Sequence, residues 1–281
     1  RPDGRLPYRH EHYLKAYHLS EPRLDADYVL LDEAQDANPV IAAIVAAQDH
    51  AQRVYVGDSQ QQIYSFTGAV NAMARMDGER VFLTRSFRFG PAVAEVANLV
   101  LGRLGAPLQI VGTESIPSTV GPIDQPDAVL CRTNATAVRE VFGAMAAGKR
   151  VHMVGGGADI ISFCRGALSL QRDGWSGHPD LACFGSWGEV RDYVANDPQG
   201  DELALLVGLV EEFGGERIIA ELSGMPREDM ADLVVSTAHK AKGREWARVR
   251  LAPDLMLADG ADTSPEELRL LYVAVTRARL G

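Results

Sequence analysis

The chain has 281 residues, 46% hydrophobic and 23% charged, an ordinary globular composition that fits two medium domains better than one large one. Its formal charge of −10 argues against a sequence-blind basic coat for DNA, because such binding draws its affinity from lysine and arginine neutralising phosphates; a local basic and aromatic track remains open. Cys131, Cys164 and Cys183 are spaced too widely for a metal knuckle and cannot all pair, which points to free, mostly buried thiols in a reducing cytosol, and no apolar run approaches the ~20 residues that span a bilayer.

Short β-rich runs alternate with helical patterns along the chain. Tyr28–Leu31 predicts a strand, Pro39–Gln48 a helix with apolar residues at three-to-four spacing, and Arg53–Val56 a second strand. Arg80–Leu83 predicts a strand and Pro91–Leu104 a helix; 108–127 holds Gly112, Pro117, Gly121, Pro122 and Pro126 without a period and reads as a surface loop. Ala128–Cys131 predicts a strand, Ala135–Ala147 a helix, 171–188 an irregular zone, Glu202–Phe213 a helix and Asp232–Ser236 a strand. Ser264, Pro265 and Glu267 form a capping box for a last helix reaching about Thr276. Strands separated by helices in this way imply α/β domains with parallel sheets.

Leu31-Asp32-Glu33-Ala34-Gln35-Asp36 sits where a strand of buried type ends. Ligands collect at the carboxyl ends of strands in open α/β sheets. Of two adjacent acids there, one can hold Mg²⁺ while its neighbour orients and deprotonates a water that attacks a γ-phosphate. A lone Asp-Glu pair is more often a helix cap with exposed acids. The next strand ends in Gly57-Asp58-Ser59-Gln60-Gln61-Gln62-Ile63-Tyr64-Ser65-Phe66-Thr67-Gly68-Ala69, whose amides could sense a γ-phosphate and whose Tyr64 and Phe66 could stack on bases. Alone, that segment would be a polar loop with core aromatics.

Together the two blocks resemble UvrD/Rep-type superfamily-one helicases, whose Walker B block reads DExQD and whose following block is similar to GDxxQxIYxFxGA. Four later segments resemble the family in order: Leu83–Arg88, Arg132–Ala135 within 128–156, Ser236–Glu245, and Glu267–Arg279. Six ordered blocks across nearly the whole chain are far more specific than any one.

The resemblance implies RecA-like parallel-sheet motor domains: 1–79 as the distal part of the first, and 80–281 as the second, with a reduced insertion around 171–230. It implies an ATP-dependent 3′ to 5′ DNA helicase or translocase with ATP and Mg²⁺ as cofactors. Asp32 would ligate Mg²⁺, Glu33 be the catalytic base, Gln61 the γ-phosphate sensor, and Arg88 and Arg277 the arginines that reach phosphate. Phe87 would stack on the base and Glu245 contact the ribose, with Lys242 and Gly243 in the same nucleotide block. Tyr64, Phe66, Arg132, Thr237 and His239 would line the path of single-stranded DNA, with duplex junctions and repair or recombination proteins as partners. Taken singly, Arg88 and Arg277 would more often be surface or ion-paired arginines, and His239 a hydrogen-bonded loop histidine.

Departures from the family pattern stand beside these matches. Thr67 replaces an arginine and cannot form the usual ion pair, and Phe66 replaces a tryptophan. No P-loop is present: Gly143–Arg150 almost fits GxxxxGK(S/T), but Arg150 replaces the magnesium-ligating hydroxyl and the context runs helix then strand. The chain opens on Arg1 and ends two residues after the last block, so both ends read as cuts, with the P-loop expected upstream and no useful ATPase expected without it. The short interval from Arg132 to Thr237, the segment Ser186–Tyr193 and His239–Gly243 resemble the F-box DNA helicase branch. A non-catalytic DNA-binding or docking module that kept the motor fold is the alternative, and a metal nuclease built on Asp32–Asp36 a weaker one.

Overall fold

A computed structural model describes residues 9–64, 68–75, 78–197, 201–256 and 263–281. The chain divides into two compact units, one of Arg1–Arg85, Asn98–Ile110 and Thr263–Tyr272, the other of Ser86–Ala97, Val111–Asp262 and Val273–Gly281.

The first unit opens with α1 (His10–Leu19), followed by β1 (Tyr28–Leu31), α2 (Pro39–Ala46) and β2 (Gln52–Tyr55). The strands pair in parallel, from Tyr28 opposite Gln52 to Leu31 opposite Tyr55. Residues alternate across a strand, so Val29 turns inward onto Val45 and Ala51, while Tyr28 and Leu30 remain exposed on the other face. Helix α2 starts where Asn38 accepts from the Val40 amide and Pro39 presets the first turn. It ends before Gln48, whose buried side chain donates to Ile44 and Pro22 carbonyls and accepts from the Leu24 amide, tying the approach to β1 onto the helix end. The strand expected at Arg80–Leu83 is not formed. Val81 and Leu83 are 79% and 89% exposed, and a strand without a neighbour leaves its backbone groups unpaired.

The second unit is built on four parallel strands in the order β4–β5–β3–β6, with β3 at Ala128–Cys131, β4 at Val151–Met153, β5 at Leu233–Thr237 and β6 at Val249–Leu251. Strands β3 and β5 are buried at every position, which is why both read as near-continuous apolar runs rather than alternating ones. Parallel neighbours need long crossovers. Helix α4 (Asn134–Ala146) carries the chain from β3 to β4, and α5 (Ala158–Asp173), α6 (Trp187–Asn196), α7 (Asp201–Phe213) and α8 (Gly215–Ser223) carry it to β5. One core joins sheet and helices through Val129, Phe142, Met153, Phe163, Leu209 and Ile218. The irregular zone begins after α5, where Gly174 takes φ +67 and stops the helix, so it is shorter than expected. Segment 171–230 is mainly helical and shares the core through Trp187, Val190 and Ile218.

Two further helices are α3 (Pro91–Arg103) and α9 (Pro265–Val275). The expected box caps α9: Glu267 N–H donates to Ser264 Oγ at 3.2 Å, and Ser264 N–H donates to the Glu267 carboxylate at 3.4 Å.

Candidate nucleotide and nucleic-acid sites

The parallel register of β1 and β2 sets their carboxyl ends side by side, and the Ala34 amide donates to the Val56 carbonyl at 2.9 Å just beyond them. Asp32 and Glu33 leave β1 there as exposed acids. Glu33 takes φ 50, a left-handed conformation sparse for residues other than glycine, and its amide donates to Asp32 Oδ1 at 2.8 Å. Gln35 is fully buried between the two strand tips. Its Nε2 donates to Glu33 Oε2 at 2.5 Å, and its Oε1 accepts from the Asp58 amide at 3.1 Å. Asp58 in turn accepts from the Gln60 amide and from Gln61 Nε2, both at 2.9 Å. The Tyr64 amide donates to Asp36 Oδ1 at 3.3 Å. Asp32, Glu33 and Gln61 are thus held by one small polar network, which reaches the Tyr64 backbone only through Asp36, whose amide donates to the Glu33 carbonyl; Phe66 and Thr67 lie outside the described residues.

No group of three acids, histidines or cysteines arranged for a metal occurs among the described residues. Magnesium does not require one. It is commonly held by one or two carboxylates together with waters and substrate phosphates, so Asp32 as an exposed carboxylate at a strand tip fits it.

In the second unit, Arg88 donates through Nε to Glu245 Oε2 at 2.9 Å and through a terminal nitrogen to the Thr276 carbonyl at 3.4 Å. Glu245 opens a stretch running parallel to the chain terminus: the Trp246 amide donates to the Arg277 carbonyl and the Arg279 amide to the Trp246 carbonyl, both at 3.0 Å. Arg277 is 2% exposed. Its Nε donates to the Val273 carbonyl at 2.9 Å and Nη2 to Thr276 Oγ1 at 3.0 Å, so its guanidinium is laid against the end of its own helix. Arg88, Glu245 and Arg277 are therefore gathered in one place. Phe87, next in sequence to Arg88, is 81% exposed. Lys242 and Gly243 lie in the turn that leads from β5 to Glu245, where φ +79 suits glycine at position 243.

The carboxyl ends of β3 and β5 adjoin, with Cys131 opposite Thr237 and the Ala238 amide donating to the Cys131 carbonyl at 2.9 Å. Arg132 is exposed at this rim and His239 half-buried. Thr237 is buried, and its Oγ1 accepts from the Lys240 amide at 3.4 Å, so it shapes the turn from inside. Asp254, just beyond β6, accepts from the Arg132 and Thr133 amides at 2.9 and 3.0 Å and fixes the first loop of the rim. Burial pushes the Cys131 thiol well above its usual range, with the Asp254 carboxylate adding to the effect, which keeps this sulfur a neutral core group.

Sequence reasoning assigned no role to Gln35, Asp58 or Asp254. Gln35 and Asp58 stand inside the two strand-end blocks, and a polar residue at the first turn after a short β-rich run was the available signal. Asp254 had none, since strand pairing alone brings it to a partner 122 positions away.

Residues 11–78 match the UvrD/REP helicase N-terminal domain, and residues 232–281 match the UvrD-like helicase C-terminal domain. F-box DNA helicase protein 1 of Schizosaccharomyces pombe is 32% identical over 95% of this chain and 35% of its own length, and F-box DNA helicase 1 of Gallus gallus is 33% identical over 95% and 30%. ATP-dependent DNA helicase UvrD2 of Mycobacterium tuberculosis is 28% identical over 89% of this chain and 46% of its own. The chain spans about a third of the length of the F-box relatives it matches. The two ends of the chain thus match the UvrD-like helicase N- and C-terminal domains, and F-box and UvrD2 helicases are among its homologues.

Proposed function

We propose that the intact protein is an ATP-dependent DNA helicase that moves 3′ to 5′ along single-stranded DNA. The observation that carries this is the shared network at the tips of β1 and β2, where Gln35 links Glu33 to the Asp58–Gln61 turn. Two exposed acids and a glutamine amide held together at parallel strand tips form an arrangement suited to phosphoryl transfer.

When bound, Mg²⁺·ATP supplies the phosphoanhydride whose cleavage drives movement. Asp32 would hold the metal. Glu33 would orient a water and take its proton, and Gln61 would present its amide to the γ-phosphate. In the second unit, Arg88 and Arg277 would be the arginines that neutralise phosphate charge, and Glu245 and Phe87 would contact ribose and base. Arg277 would first have to exchange hydrogen bonds to its own helix for phosphate oxygens. Arg132 and His239, on the rim of β3 and β5, would meet the DNA backbone, and Tyr64 of the first unit would stack on a base.

The test is hydrolysis and strand displacement by the full-length protein on partial duplexes with either a 3′ or a 5′ single-stranded tail. Hydrolysis stimulated by single strands and unwinding only from the 3′ tail is expected. DNA binding without hydrolysis would instead establish the non-catalytic module.

A further inference from the structure

We infer that Gln35 is a positioning residue that holds the Glu33 carboxylate in place and ties it to the turn bearing Gln61; this rests on the reading of Glu33 as the catalytic base.

Gln35 has no exposure, so its amide meets no solvent and its partners must come from the protein. Those partners fix its orientation. The Asp58 amide can only donate, and an ionised Glu33 carboxylate can only accept, so Oε1 must face the former and Nε2 the latter. The approach is possible because position 57 is glycine: a Cβ there would lie 2.2 Å from Gln35 Oε1. Glu33 stands in a left-handed conformation that local sterics do not favour, so a bond to its side chain helps keep the acid aimed.

The far end of the linkage is equally defined. Asp58 donates to Gln35 through its backbone amide and accepts from Gln61 Nε2 through its carboxylate, so a shift of the Gln61 turn reaches Glu33 through one amide side chain. Proton acceptor and γ-phosphate sensor are thereby placed as a pair rather than separately. Misplacement of a catalytic group by about 1 Å can lower a rate roughly a hundredfold, which sets the scale of the effect.

The experiment compares Gln35→Glu and Gln35→Met in the full-length protein, with Glu33→Gln as the reference. Gln35→Glu keeps the shape and an oxygen for the Asp58 amide but sets a second carboxyl against Glu33, where the two share a proton, so Glu33 loses its neutral amide donor and is a poorer proton acceptor. Gln35→Met removes both bonds, and if it fails to fold the Glu variant decides. Both should lower single-strand-stimulated kcat by roughly tenfold to a hundredfold while KM for ATP and affinity for a single-stranded oligonucleotide stay within about twofold. Combined with Glu33→Gln, neither should lower the residual rate further, because Gln35 acts through Glu33. A kcat within twofold of the unaltered protein, or a fall in kcat matched by losses in KM and thermal midpoint, would overturn the inference. Full turnover by Glu33→Gln alone would show that the reading of the site itself fails.

Discussion

Arg88 and Glu245 stand 157 positions apart in sequence and meet at 2.9 Å, with their side chains 35% and 46% exposed. An ion pair this open to water contributes only about 0–1 kcal/mol, so its geometry matters more to what the residues reach than to folding. Arg88→Ala should leave the thermal midpoint within a few degrees while lowering single-strand-stimulated kcat of the full-length protein by roughly 10³. Calorimetry and steady-state kinetics on the same preparation check this; a large loss of stability with kcat intact would point to a scaffolding arginine.

The thiols divide by burial. Cys131 and Cys164 are buried and Cys183 is exposed, and burial pushes the Cys164 thiol up to about 11. A thiol reagent at pH 8 should modify Cys183 alone in the native chain and all three cysteines in denaturant. Rapid native modification of Cys131 or Cys164, read by mass spectrometry of peptides, would contradict the described core.

Acid sensitivity has an identifiable contributor in Asp232. The Arg150 guanidinium, 2.7 Å away, holds its carboxyl down at about 2. A carboxylate depressed on folding stabilises the protein fully above its unfolded pKa of about 3.9, and that contribution is lost as pH falls from there towards 2. Asp232→Asn should therefore melt below the unaltered chain at pH 7, with the gap closing as pH approaches 2. A gap unchanged across that window would exclude the pair as its source.

Asp254 holds two backbone amides of the loop that presents Arg132. Asp254→Ala removes both acceptors and should cost about 1–2 kcal/mol in denaturant unfolding. It should also weaken binding of a labelled single-stranded oligonucleotide severalfold in anisotropy titrations, since the loop loses its fixed aim. Unchanged affinity with reduced stability would separate the loop from DNA binding.

Much of this arrangement could be read from the residues, for physical reasons that differ by element. Tyr28–Leu31 and Ala128–Cys131 coincide with β1 and β3, but only β3 is buried at every position; β1 turns Val29 inward and leaves Tyr28 and Leu30 exposed, so it is not the buried strand its apolar run suggested. The α9 cap was legible because Ser264, Pro265 and Glu267 act locally. Arg80–Leu83 carried the same apolar signal as a strand but lacks a partner, which composition cannot reveal. Strand β6, three residues with Arg250 at its centre, was too short and polar to be noticed. At the candidate sites, the blocks put Asp32, Glu33 and Gln61 just after β-rich runs, and they lie just beyond β1 and β2. The inward turn of Thr237 and the helix-bound guanidinium of Arg277 depend on packing and were not legible.

The proposed role of Glu33 as the base of an ATP-hydrolysing motor is tested most directly by Glu33→Gln in the full-length protein, assayed for hydrolysis and for single-strand binding together. Loss of turnover by about 10² or more with oligonucleotide affinity preserved is the predicted result. Turnover unchanged, or hydrolysis and binding lost in equal measure, would contradict it.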